Sequence, residues 1–225
     1  MKIVVDFIDN EIIVQNNSVV NIEIENKTYF YRLINELNLI SKGILSDNIF
    51  FLDENNNEIN LLNKIDLYID YFNIELNSKK IINNLYKLLK NNIDDEDKTK
   101  INKCYSQIKK ILSKSFINYN LSLTINDEFD IDDILKLLKV SIDLKNNLFD
   151  NLLLLIDINN SLKLNELLIF ANLKQYLTMG ELNELYKYCL YNDVKILLID
   201  SQCYGTTSKF EKKLIIDGNL DEFLL

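Results

Sequence analysis

Histidine is missing from the chain. Without an imidazole there is no Ser-His or Cys-His nucleophile pair and no histidine-ligated zinc. Proline is also absent, glycine occurs four times, and Arg32 is the lone arginine. No glycine lies between Met1 and Lys42, so the early chain lacks the loop whose successive amides close on a phosphate. Cys104, Cys189 and Cys203 are odd in number and far apart, which reads as buried free thiols. No apolar run of about eighteen residues is free of charge, so no membrane span is expected. Asp6 interrupts the apolar start too early for a signal peptide, and a cytoplasmic location is expected. The net charge of −9 argues against nucleic-acid adhesion over the whole surface. DNA binding would need lysines segregated from acids, helped by a cation.

What is present is organised around residues 167–200, which read as strand, helix, strand. Leu167, Leu168, Ile169, Phe170 and Ala171 form an unbroken apolar run, and Ile196, Leu197, Leu198 and Ile199 form another. Such runs suit parallel strands buried on both faces. Between them Thr178 and Glu181 have the spacing of a capping box, and Leu182, Leu185, Tyr186, Cys189 and Leu190 follow at helical spacing. The unit is a right-handed βαβ crossover.

A chain of 225 residues can bury one core, or one core with a smaller inserted domain. Residues 3–8, 12–14 and 19–24 read as short strands of a β-rich start. A helix with Phe30, Leu33, Ile34 and Leu37 on one face follows, with Gly43 at its C-terminal cap. Residues 49–52 read as a strand, and so do residues 67–74. From residue 77 the pattern is helical. One helix carries Ile81, Ile82, Leu85, Leu88 and Leu89. The next starts on Asp94, Asp95, Glu96 and Asp97 and is expected to bury Ile101, Cys104, Tyr105, Ile108, Ile111 and Leu112. After a short extended piece at 121–125 comes a helix through Ile134, Leu137, Leu138 and Ile142, and then an apolar helix over 149–158. Residues 214–216 and 223–225 read as edge strands. The fold class is therefore α/β with a mostly parallel sheet: residues 1–75 and 148–225 form a head, and residues 76–147 an inserted helical lobe.

Three constellations bear on chemistry. Lys27 and Thr28 follow a strand where a phosphate loop would end, but with no glycine beside them and Asn172 in place of a magnesium-binding acid they read as a helix cap and a surface lysine. Asp127, Glu128, Asp130, Asp132 and Asp133 place five carboxylates in seven residues, a density that suits calcium, though without the glycine and closing glutamate of an EF-hand loop. The plainer reading is a solvated acidic helix start. Lys100, Lys103, Lys110 and Lys114 fall within about 80° of one helix face. Lys136, Lys139 and Lys145 follow on a later helix. No acid interrupts residues 98–126. A charged face is commonly only solvated. Set apart in an acidic protein, this one suits phosphates and no particular base sequence.

The order Leu167 to Asn172, Tyr176-Leu177-Thr178, the acid-capped helix, and Ile196 to Asp200 resembles the CRISPR-associated Csn-two family of type II-A adaptation proteins, most specifically in this C-terminal block. The resemblance implies a degenerate P-loop-ATPase-like head with a helical leg, a ring-shaped homotetramer, binding of linear double-stranded DNA at its ends, and structural calcium. It also implies a non-enzymatic role in spacer acquisition beside the CRISPR integrase complex and the effector nuclease. On that basis Lys100, Lys103, Lys110, Lys114, Lys136, Lys139, Lys27 and Arg32 are the candidate DNA contacts. The carboxylates of Asp127, Glu128, Asp130, Asp132 and Asp133 lie where the family's calcium ligands are expected. The alternative is a small α/β interaction module or cryptic nucleotide binder with no DNA role.

Overall fold

The computed structural model describes residues 1–15, 18–116, 122–125, 130–205 and 208–225. The chain divides into two compact units, Met1–Glu75 with Leu144–Leu225, and Leu76–Asp143.

In the first unit, β1 (Lys2–Val5), β2 (Ile12–Ile13) and β4 (Ile49–Leu52) form a small antiparallel sheet in the order β2-β1-β4. The third early strand, β3 (Val19–Ile24), leaves that group and joins a six-stranded sheet with β5 (Ile65–Tyr68), β6 (Leu167–Ala171), β7 (Ile196–Asp200), β8 (Glu211–Ile216) and β9 (Glu222–Leu224). The order is β5-β6-β7-β3-β8-β9, parallel except for β9. Residues 214–216 are thus interior, bonded to β3 on one side and β9 on the other, and only the C-terminal segment is an edge. The expected strand at 67–74 stops at Tyr68. Asp70 accepts from the Phe72 amide at 3.0 Å and turns the chain, and Tyr71 donates its hydroxyl proton to the Ala171 carbonyl at 2.9 Å.

Side-chain alternation gives the large sheet two unlike faces. Ile22, Ile24, Ile169, Leu197, Ile199 and Leu214 join Leu33, Leu37 and Ile40 of α1 (Lys27–Ser41) and Ile3, Val5 and Phe51 of the small sheet in one apolar core. Gly43 closes α1 at a φ of 80°, with its amide on the Ile40 carbonyl, a backbone position that strains any residue with a Cβ. The opposite face carries Phe170 and Leu198 but also Asn21, Glu23 and Asp200, all buried. Tyr186 of α6 (Met179–Tyr191) reaches this face, and α5 (Leu148–Leu162) packs against α6. The capping box forms as read: the Glu181 amide donates to Thr178 Oγ1 and the Thr178 amide to Glu181 Oε2 at 2.8 Å, worth about 1 kcal/mol.

The second unit holds α2 (Lys79–Asn92), α3 (Asp95–Phe116) and α4 (Ile131–Leu137). Ser78 caps α2, whose Ile81 and Tyr86 are buried. The Tyr86 hydroxyl donates to the Val140 carbonyl at 3.1 Å, and Asn77 exchanges hydrogen bonds with the Ile142 backbone. The expected burial along α3 does not occur. No residue of this helix is buried, and Ile108, Ile111 and Leu112 are 52%, 67% and 52% exposed. In this unit α2 packs against α4, which leaves the apolar stripe of α3 uncovered. Among the described residues no helix is long and apolar enough to cross a membrane.

Candidate functional site

The crossover after β3 runs along one face of the sheet through α1, whereas the crossover between β6 and β7 runs along the other through α6. The strand order therefore reverses between β3 and β7, and the crevice outside their carboxyl ends is where open α/β sheets take ligands. Here it is filled from within. Lys213 Nζ lies 2.9 Å from Glu23 Oε1 and donates to the Tyr204 carbonyl at 2.8 Å. Lys174 Nζ lies 2.6 Å from Glu211 Oε1 and 3.2 Å from Glu23 Oε1. Asn21 donates to both glutamates, and the Tyr204 amide donates to Glu23 Oε2 at 3.0 Å. Two ammonium groups thus sit among three carboxylates, the third being Asp200.

Asp200 is fully buried, and neither of its oxygens has a hydrogen-bond donor among the described residues. Burial, which disfavours the ionised form, pushes its pKa up to about 7 against the attraction of Lys174. Burial likewise raises the Tyr186 hydroxyl, so the phenol stays protonated against Glu211.

The entrance to this crevice has no phosphate cradle. The Asn26 side chain accepts from the amides of Thr28 and Tyr29 at 3.1 and 3.2 Å, which consumes the donors a phosphate would need. Lys27 is an exposed residue of the first helical turn. Arg32 is engaged elsewhere, 4.3 Å above the Phe7 ring and donating to Asn48 at 2.9 Å. Asn172 adopts a left-handed conformation with φ 57° and accepts from the amide and hydroxyl of Ser201. Sequence reasoning missed Glu23, Lys174, Glu211 and Lys213. The available signal was Glu23 within the apolar run 19–24, since a buried strand holds a charge only with a partner; Lys174, in the turn after β6, and the consecutive charges 211–213 carried none.

In the second unit the lysines divide into two sets. Lys100 lies 2.9 Å from both Glu96 and Asp97, and Lys136 lies 3.2 Å from Asp133. Lys139 lies past the end of α4 with φ 53°. Lys103, Lys110 and Lys114 are exposed on α3 and have no carboxylate partner among the described residues; Lys110 and Lys114 line an open cavity with Ser106, Lys109 and Ser113.

The carboxylates behave unevenly. Asp127 and Glu128 lie outside the described residues. Asp130 caps α4 and is held by Lys90 at 2.6 Å, a hydrogen bond that lowers its pKa and raises that of Lys90. Asp132 Oδ1 is shielded from solvent with no donor among the described residues, an oxygen that suits a hard cation. Among the described residues no group of three or more acids or thiols is placed to hold a metal.

A family model described as CRISPR-associated protein (Cas_Csn2) matches residues 45–220, well over half of the chain. No curated protein matches it.

Proposed function

The chain belongs to the CRISPR-associated Csn2 family, and from that premise we propose that it binds the ends of linear double-stranded DNA, without sequence preference, as a ring-shaped homotetramer in spacer acquisition. α3 carries this reading. It presents Lys103, Lys110 and Lys114 without acidic partners among the described residues, beside an exposed stripe of Ile108, Ile111 and Leu112. The lysines suit phosphates and the stripe suits a second copy of the chain. Covering each aliphatic side chain contributes about 1.5–3 kcal/mol. Summed over subunits, a few lysines each give a positive opening in a protein whose net charge is −9.

In this reading the head is a degenerate relative of P-loop ATPases and the protein is not an enzyme. The parallel order β5-β6-β7-β3-β8 suits that ancestry. Lys174 and Lys213 occupy the ligand crevice, and the β3–α1 junction lacks glycine. Calcium is structural, with Asp127, Glu128, Asp130, Asp132 and Asp133 as candidate ligands; the unpartnered Asp132 Oδ1 favours this, and the grip of Lys90 on Asp130 opposes it. The partners are the CRISPR integrase complex and the effector nuclease, and the location is the cytoplasm. Light scattering combined with binding to linear and covalently closed DNA tests the core of the reading. A tetramer that prefers linear duplex supports it. A monomer that ignores DNA and binds ATP sinks it in favour of a nucleotide-binding module.

A further inference from the structure

Phe210, just before β8, has two ammonium groups over its ring, with Lys209 Nζ 5.0 Å and Lys187 Nζ 5.9 Å from the centroid. With Met179, Asn183 and Ser208 these residues line a cavity of about 320 Å³ in which, among the described residues, no acid takes part. The other polar groups are satisfied internally: Ser208 donates its hydroxyl proton to Asn183 Oδ1, and Asn183 donates to the Met179 carbonyl. Glu211, the nearest acid in sequence, is buried and committed to Lys174 at 2.6 Å. Among the described residues the charged donors of the cavity are therefore those of two ammoniums, three on each. By their distances from one ring they stand at most about 11 Å apart, and both line the same cavity, so their positive charges add there.

We propose that Lys187, Lys209 and Phe210 form a phosphate site on the head, separate from the α3 lysines, that takes a phosphate carried by a DNA strand. The identity of the carrier rests on the DNA-binding reading; the phosphate chemistry does not. Phe210 holds the two ammoniums near one point, so that they act together.

The first measurement follows the aromatic and lysine side-chain NMR signals of the full chain during titration with sodium pyrophosphate. Saturable shifts of Phe210, Lys187 and Lys209, absent from the Lys187→Gln/Lys209→Gln variant, are expected. A Phe210 signal that stays still, or that moves equally with sodium chloride of matched ionic strength, overturns the site. The second measurement compares duplexes with 5′-phosphate and 5′-hydroxyl ends. A preference of about fivefold for the phosphorylated end, lost in the double variant, identifies a terminal monoester, which carries extra charge. Equal affinity for the two ends, with a salt slope smaller by about 2 in the double variant, identifies internal phosphodiesters. Identical affinity and salt slope in wild type and variant overturn DNA as the carrier. Pyrophosphate binding in a protein that binds no duplex at all overturns the DNA-end reading while the phosphate site stands.

Discussion

Lys213 of the interior strand β8 and Glu23 of β3 form an ion pair at 2.9 Å with neither side chain in contact with solvent. An ion pair so buried gives little net stability over an apolar pair, but removing one partner strands the other charge, at a cost of about 3–5 kcal/mol. Glu23→Ala takes the nearest carboxylate from Lys213 and one of two carboxylates from Lys174. The urea midpoint of this variant is expected to fall accordingly, and Lys213→Met should behave alike. A midpoint within error of wild type for both would mean that water reaches the cluster.

Asp200 sets a pH dependence of stability. Its folded pKa of about 7 lies above the ordinary value of 3.8. Between these values the folded state keeps a proton that the unfolded state releases, so stability falls as pH rises through this window and levels off above it. The contribution is at most about 4 kcal/mol. Asp200→Asn, which keeps the neutral shape, should flatten this slope in urea unfolding between pH 4 and 8. An unchanged slope would mean that Asp200 does not carry the dependence.

The sequence made the βαβ unit legible because three local signals agree there: apolar runs of strand length, a capping box and a helical stripe. The cap of α1 on Asn26 and the stop at Gly43 were readable for the same reason. Which strands are neighbours was not. Residues 214–216 read as an edge because the long-range parallel pairing of β8 with β3, across nearly two hundred residues, leaves no local trace. The stripe on α3 was correctly periodic and wrongly buried, since periodicity reports an apolar face and not what covers it. The charged cluster of Glu23, Lys174, Glu211 and Lys213 was hidden because its members are dispersed in sequence and meet only across one face of the sheet.

Calcium should raise the thermal midpoint. Asp132 Oδ1, without a donor among the described residues, is free to take a cation, and a ligand that binds only the folded state stabilises by mass action, about 2.7 kcal/mol at a hundredfold excess over Kd. Replacing Asp127, Glu128 and Asp130 by Asn or Gln should remove the shift, and Lys90→Met, which frees Asp130, should enlarge it. A full calcium shift in the triple variant would put the ions elsewhere.

Assembly should depend on the uncovered face of α3. Ile108→Asp with Leu112→Asp places charge at two side chains that are each 52% exposed, so the isolated subunit should keep its circular dichroism and thermal midpoint. Light scattering should then show a smaller oligomer. An unchanged mass would assign the contact between copies to other surfaces.

If the chain binds DNA as proposed, the contacts should lie where lysines have no acidic partner. Lys100 and Lys136 are neutralised by Glu96, Asp97 and Asp133, whereas Lys103, Lys110 and Lys114 have no such partners among the described residues. Each phosphate neutralised releases condensed counterions, so the logarithm of affinity should fall with the logarithm of salt at a slope of about 0.9 per contact. Charge reversal at Lys103, Lys110 and Lys114 should flatten that slope and weaken every duplex alike, whereas Lys100→Glu and Lys136→Glu, which remove already paired charges, should do so less. A closed ring must also thread a free end, so covalently closed circles should bind poorly beside linear duplex of the same length and salt. Equal affinity for circles would argue against threading. A salt slope untouched by the α3 reversal would move the contacts to the head, where Lys27 is exposed, and Arg32, bound to Phe7 and Asn48, would have to let go of both.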